Sequence, residues 1–230
     1  MKIAILTGAG VSAESGLSTF RDQNGLWEQY KISDVATPEA WVRNKSLVLE
    51  FYNQRRIGIA NAEPNAGHFA LAKLEQHFKD TMVMTQNIDD LHERAGSKNI
   101  IHLHGSIRQS RSTANDEIFD IQGNELNIGD RCPLGSQLRP HIVWFGEAVP
   151  KLEEAIPFFE KADIVIVAGT SLEVYPAASL VHYARPHAIK YLVDPKMPSS
   201  FTLKGFHFDA NTAAIGLPKL VDKLISMQLK

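Results

Sequence analysis

Three short stretches hold most of the side chains able to do chemistry. "IHLHGSI", residues 101–107, sets His102 and His104 one residue apart ahead of a glycine. "TQNIDDLH", residues 85–92, gathers Gln86, Asn87, Asp89, Asp90 and His92, and "TGAGVSAESG", residues 7–16, is a glycine loop. On a strand, alternate residues share a face, so both histidines would project the same way. Such a pair could join a metal site with Asp89, Asp90 and His92, pack as hydrogen-bonded core residues, or supply one general base. His104, followed by Gly105, stands nearer the carboxyl end of a strand and is better placed than His102 to meet a ligand. Carboxamides such as Gln86 and Asn87 can hold ribose hydroxyls, and Asp89 can accept from an amide N–H. A helix N-terminus would explain Asp89 and Asp90, but not Gln86 and Asn87 together.

In the glycine loop, Gly8, Gly10 and Ala13 follow an apolar run in the G-x-G-x-x-G/A arrangement. That spacing lets backbone approach a pyrophosphate and points a helix N-terminus at it, although a tight strand-to-helix turn without a ligand would read the same way. A dehydrogenase of this type adds an acid about 20 positions on, at the end of a second strand. Here "TFRDQNGLWEQYKISD" has no strand ahead of its acids, which counts against hydride transfer.

The elements that must carry these groups alternate. Apolar runs at 2–10, 81–90, 100–106, 163–171 and 190–195 read as strands buried on both faces. Segments 46–62, 65–78, 151–162 and 175–184, and "LPKLVDKLISMQL" near the end, read as helices. Strands alternating with helices imply an α/β fold, a Rossmann-like doubly wound parallel sheet with ligands at the carboxyl ends of its strands. Residues 22–62 and 107–141 break the alternation, so a second, smaller domain formed by these insertions is expected. The Rossmann-like domain would then comprise 1–21, 63–106 and 142–230, with a cleft between the two parts.

The 230 residues are 44% hydrophobic and 22% charged, ordinary for a globular chain. With 24 basic against 26 acidic residues the net charge is -2, which gives no overall drive toward nucleic acid or an anionic membrane. The opening apolar run is too short for a signal sequence, and no run reaches the roughly 18 apolar residues of a membrane span. A single cysteine, Cys132, forms no internal disulfide and suits a reducing compartment. A cytoplasmic monomer with no nucleic-acid or membrane partner is expected.

"GAGVSAESGLSTFRD", "TQNIDDLHERAG", "HLHGS", "LRPHIVWFGE" and "AGTSLEVYPAA", in this order, resemble the sirtuins, NAD-dependent protein lysine deacylases. The resemblance runs over nearly the whole chain. It implies that NAD is consumed as a co-substrate, that acylated lysine in proteins or peptides is the partner, and that nicotinamide and O-acyl-ADP-ribose are the products. By position His104 is the base, acting with Asn87 and Asp89, and His102 is its neighbour. Gly8, Ala9, Gly10 and Ser12 would cradle phosphate, and Phe20 and Arg21 would close over NAD. Gln86, Asn87, Ile88 and Asp89 would line the ribose and nicotinamide pockets, and Gly169, Thr170 and Ser171 a further NAD loop. Asp194, where the family often has asparagine, and Ala213 would lie near adenosine. Val143, Phe145, Gly146 and Glu147 match the strand that clamps the peptide by β-augmentation.

Tyr52 and Arg55 fall on one face of a helix and resemble the Tyr-x-x-Arg of the sirtuin branch that removes succinyl and other acidic acyl groups, with Ala36 at the pocket-widening position. Many sirtuins hold zinc on four cysteines between the "HG" and "LRP" blocks. Residues 106–140 retain only Cys132, so no zinc is expected. Mono-ADP-ribosyl transfer and noncatalytic NAD sensing are the alternative functions, and a sensor would have no use for a base at His104.

Overall fold

The structure, a computed structural model, describes residues 1–17, 30–198 and 205–228. In chain order the strands are β1 (Ile3–Thr7), β2 (Thr81–Thr85), β3 (Ile100–His102), β4 (Gly105–Ser112), β5 (Ile118–Asp120), β6 (Leu138–Ile142), β7 (Ile164–Ala168), β8 (Ile189–Val193) and β9 (Phe206–Asp209). The helices are α1 (Gly10–Ala13), α2 (Ile32–Val35), α3 (Pro38–Arg43), α4 (Lys45–Asn61), α5 (Ala66–His77), α6 (Leu91–Arg94), α7 (Leu152–Lys161) and α8 (Ala213–Gln228). A 3-10 segment covers Ala177–Tyr183, where the sequence suggested an α-helix.

Every residue of β1 and of β7 is buried, as their unbroken apolar runs require of strands covered on both sides. Alternate side chains supply two separate cores. Ile3 and Ile5 pack with Leu71, Leu74 and Leu217, whereas Ala4 and Leu6 pack with Phe159, Leu180 and Leu192. The six-stranded sheet runs β3-β2-β1-β7-β8-β9, parallel throughout. This is the doubly wound order expected, and its direction of growth reverses between β1 and β7, where a crevice must open at the carboxyl ends. β9 was not foreseen: "FHFD" is a short edge strand with no fully buried position to mark it.

A smaller antiparallel sheet, β5-β4-β6, accompanies the main one. In strand β4 the alternation slips by one residue between Ile107 and Ser110, where its register with β6 shifts, and Ser110 and Ser112 occupy buried positions, so a hydrophobic pattern could not reveal it. The Ser110 hydroxyl donates to the Phe119 carbonyl at 3.3 Å and that of Ser112 to Cys132 Sγ at 3.2 Å. A third core of Val35, Trp41, Val48, Phe51, Ile107 and Trp144 joins this sheet to α2, α3 and α4. Thr37 and Asn44 cap α3 and α4 by accepting from Ala40 N and Leu47 N.

At the centre of this smaller region lies Arg56, 0% exposed. Its Nε donates to the Ile107 carbonyl at 2.9 Å, and its Nη1 to Asn53 Oδ1 at 2.7 Å and the Asn124 carbonyl at 3.1 Å. Asn53 in turn accepts from Leu126 N at 2.9 Å and donates to the Leu126 carbonyl at 3.2 Å. Burial, followed by the charge of Arg108, pushes Arg56 down to about 10, so it remains a cation at neutral pH. Two side chains of α4 thereby hold β4 and the 124–126 segment. Arg56→Met would leave those carbonyls without a donor, and we expect it to lower unfolding stability by about 2–4 kcal/mol in urea titrations. An unchanged midpoint would show that the segment is held by its apolar contacts alone.

Candidate active site

The carboxyl ends of β1, β2 and β7 deliver three loops to the crevice. Gly8 N donates to the Ala168 carbonyl at 3.1 Å and Gly10 N to the Gly169 carbonyl at 2.8 Å. A Cβ on Gly8 would lie 2.7 Å from Thr170 Cβ, and one on Gly10 would lie 2.8 Å from Gly169 Cα. Glycine is thus required here by the approach of two protein loops as well as by any pyrophosphate. Gly169 itself, at φ 59°, turns the chain out of β7. After the loop the chain makes one turn of helix, α1, so dipole support for an anion is weaker than a long Rossmann helix would give.

Ser12, on that turn and 2% exposed, joins the loops. Its hydroxyl donates to Asp89 Oδ2 at 3.0 Å, while Asn87 Nδ2 donates to Ser12 Oγ at 3.1 Å. His68 Nε2 lies 3.4 Å from the same oxygen, and its Nδ1 accepts from Asn65 N at 3.2 Å within the N-terminal cap of α5. Asp89 is 5% exposed and its Oδ1 accepts from Leu91 N at 3.1 Å. Burial raises its carboxyl above the ordinary range, opposed by those hydrogen bonds and by the nearby charge of His102. His68 is pushed down to about 4 by burial, so at neutral pH it is an uncharged partner. Behind it His92, ring to ring at 4.9 Å, meets Thr7 Oγ1 through Nε2 at 3.0 Å. The sequence offered a signal for His68 only in its place three residues after the cap Asn65, and none for its contact with Ser12.

Gln86 Nε2 donates to Thr170 Oγ1 at 3.1 Å, which ties the β2 and β7 loops together across β1. Ile88 is half-buried with its carbonyl accepting from Ile107 N at 2.8 Å. β3 ends at His102, so His104 stands in the turn before β4 and not on the strand shared with its neighbour. His104 Nδ1 donates to the Gln86 carbonyl at 2.9 Å. That bond fixes the neutral tautomer with its lone pair on Nε2. Burial lowers its pKa below the ordinary imidazole value, partly offset by the bond to Gln86. His102 lies 3.2 Å from the Asn87 carbonyl through Nδ1 and 2.6 Å from Glu93 Oε1 through Nε2.

Asp90, a candidate metal ligand by sequence, accepts from Arg108 Nε at 2.8 Å. Among the described residues no group of three or more His, Cys, Asp and Glu side chains is placed to share a metal ion. Ser171 is half-buried beside Thr170. Asp194 closes β8, where its side chain accepts from Lys196 N at 2.9 Å, and buried Ala213 opens α8 against Gly67. Phe20 and Arg21 lie outside the described residues.

On the other wall, Val143 N donates to the His104 carbonyl at 2.9 Å and Phe145 N to the Ala36 carbonyl at 3.0 Å, so the 143–147 loop links His104 to the smaller region. Phe145 is exposed and Gly146 takes φ 91°. Glu147, expected from the resemblance to contact the substrate, has its carboxylate bound within the protein. It accepts from Arg139 at 2.6 and 3.0 Å, Arg111 at 3.0 Å and Trp144 N at 2.8 Å. Trp144 Nε1 donates to the Tyr52 hydroxyl at 3.0 Å, beside buried Ala36. Burial raises Tyr52 to about 12, keeping its O–H intact, and lowers Arg55, whose charge is felt by both Tyr52 and Asp89.

A model of the Sir2 family matches residues 8–176 of this chain. An NAD-dependent protein deacylase of Bacteroides thetaiotaomicron is 49% identical over 229 residues, covering 97% of each chain. An NAD-dependent protein deacylase of Helicobacter pylori is 48% identical over 225 residues, covering 98% of each. A solved Sir2 homolog–NAD complex superposes with a TM-score of 0.88 at 39% identity, over 100% of this chain and 91% of that one. With its sheet order, its crevice loops and these similarities taken together, the chain belongs to the Sir2 family.

Proposed function

We propose that this NAD-dependent protein deacylase removes acidic acyl groups such as succinyl and malonyl, as well as acetyl, from lysine side chains. The observation that carries the reading is His104, tied at Nδ1 to Gln86 and beside the Ser12, Asn87 and Asp89 cluster, with Nε2 left to act as a base. NAD is the co-substrate. The acyl-lysine carbonyl oxygen bonds to the ribose carbon, and nicotinamide leaves with the electron pair of the glycosidic bond. Neutral His104 takes the proton of a ribose hydroxyl as that oxygen attacks the acyl carbon, and one water completes release of lysine and O-acyl-ADP-ribose. Asp89, buried and held by the Ser12 hydroxyl and Leu91 N, orients the groups that surround the ribose.

Acidic acyl groups are favoured by Tyr52 and Arg55. The Arg55 guanidinium is half-buried with its Cζ 5.8 Å from the centre of the Phe51 ring, and a substrate carboxylate reaching it would offset the cost of its desolvation. The Tyr52 hydroxyl, which accepts from Trp144, keeps its proton to donate to the same carboxylate.

Incubation with NAD and acetylated or succinylated peptide is expected to give deacylated peptide, nicotinamide and acyl-ADP-ribose in equal amounts by mass spectrometry. Consumption of NAD with ADP-ribose attached to protein, and no loss of acyl groups, would point to ADP-ribosyl transfer instead. Because only uncharged His104 is a base and its pKa is lowered, kcat/KM for the peptide should hold at pH 7 and decline only below about pH 6.5, the ordinary imidazole value. A decline that begins above that pH would contradict the assignment. For Arg55→Met, kcat/KM for succinyl peptide should drop about 10- to 100-fold, the worth of a charged hydrogen bond, with acetyl peptide changed by less than about threefold. Equal losses on both peptides would remove the acyl-selective role.

A further inference from the structure

His102 and His104 both aim Nδ1 at the carbonyl of the β2 loop, His102 at Asn87 and His104 at Gln86, yet their other nitrogens meet opposite surroundings. For His102 the second nitrogen faces the Glu93 carboxylate at 2.6 Å. A carbonyl and a carboxylate are both acceptors only, and a neutral imidazole has one N–H. To satisfy both at once the ring must carry two protons. We propose that His102 is a positioning residue that works as an imidazolium, clamping the Asn87 carbonyl to the Glu93 carboxylate and so fixing the Asn87–Asp89 segment. The inference rests on the role assigned above to Asn87 and Asp89.

The surroundings of the ring agree. Glu93 and His92 face it from α6, Asp89 from the loop before it, and His141 from β6. Burial disfavours the charge, but the hydrogen bond and attraction to Glu93, the Asn87 carbonyl and the charge of Asp89 outweigh it, and the pKa of His102 is raised. For Glu93 burial is likewise outweighed by His102, which holds its carboxyl below the ordinary range. Burial lowers both His92 and His141, which leaves them neutral neighbours near pH 7. Two histidines one residue apart are thus held in opposite states, one charged to hold the loop and one neutral to take a proton.

The consequence is a second limb in the pH profile. As pH rises through the elevated pKa of His102, the ring keeps only one N–H, one of its two bonds is lost, and the Asn87–Asp89 segment loosens. Activity should therefore decline on the alkaline side through His102, as it does on the acid side through His104. A misplacement of the segment by a fraction of an ångström is enough to cost about tenfold or more in rate.

The test is nitrogen-resolved NMR of the histidine side chains in the full-length protein at pH 7, followed by kcat/KM for NAD against pH in wild type and Glu93→Gln. His102 is expected to carry protons on both nitrogens and His104 on Nδ1 only. In Glu93→Gln the pKa of His102 should drop by about 1–3 units, and the alkaline limb should move down with it. A neutral His102 at pH 7 in wild type, or an alkaline limb that stays in place in Glu93→Gln, would overturn the clamp. The NMR result does not depend on turnover. A neutral His102 in an active enzyme defeats the clamp and leaves the deacylase reading standing, whereas a doubly protonated His102 in a protein that leaves NAD intact supports the clamp and defeats that reading.

Discussion

A carboxyl group taken out of water must be met by hydrogen-bond partners, and Asp89 finds them in the Ser12 hydroxyl and the Leu91 N–H, which oppose the rise that burial imposes on its pKa. Ser12 lies on the turn after β1 and Leu91 begins the turn of helix after β2. The Ser12 bond to Asp89 therefore ties the β1 and β2 loops together across the sheet. On the other side Gly8 and Gly10 pack directly on Gly169 and Thr170, which brings the β7 loop against the same turn. A bulkier residue at either position would push the β1 and β7 loops apart and alter the crevice.

Polar side chains also organise the smaller region. Arg56 and Asn53 hold backbone carbonyls from two directions, while Glu147 gathers Arg139, Arg111 and the Trp144 N–H. Arg139 lies with its Cζ 3.3 Å from the centre of the Trp144 ring, and Trp144 holds Tyr52. The position of Tyr52 is thus set by an ion pair two contacts away. Buried ion pairs are weak sources of stability but strict about geometry, which suits a fixed wall around Tyr52.

What could be read from sequence follows from where apolar residues do the work. β1 and β7 are unbroken apolar runs, and each stands in the sheet where its pattern placed it. The β5-β4-β6 sheet escaped because serines occupy its buried positions, and β9 because none of its residues is fully buried. Among the site residues, Gln86, Asn87, Asp89 and His104 converge because motif spacing reports loops at strand ends. His68 meets Ser12, 56 residues away, which motif spacing does not report. Glu147, in a block expected to meet the peptide, keeps its carboxylate in four hydrogen bonds within the protein, which spacing does not report.

The division of labour between the Ser12–Asn87–Asp89 cluster and His104 is the central claim, and exchange of labelled nicotinamide into NAD in the presence of acyl peptide tests it most directly. His104→Ala is expected to retain exchange, since the glycosidic bond is broken before the base acts, while forming no acyl-ADP-ribose. Loss of exchange together with product would place His104 in the first step and contradict the assignment.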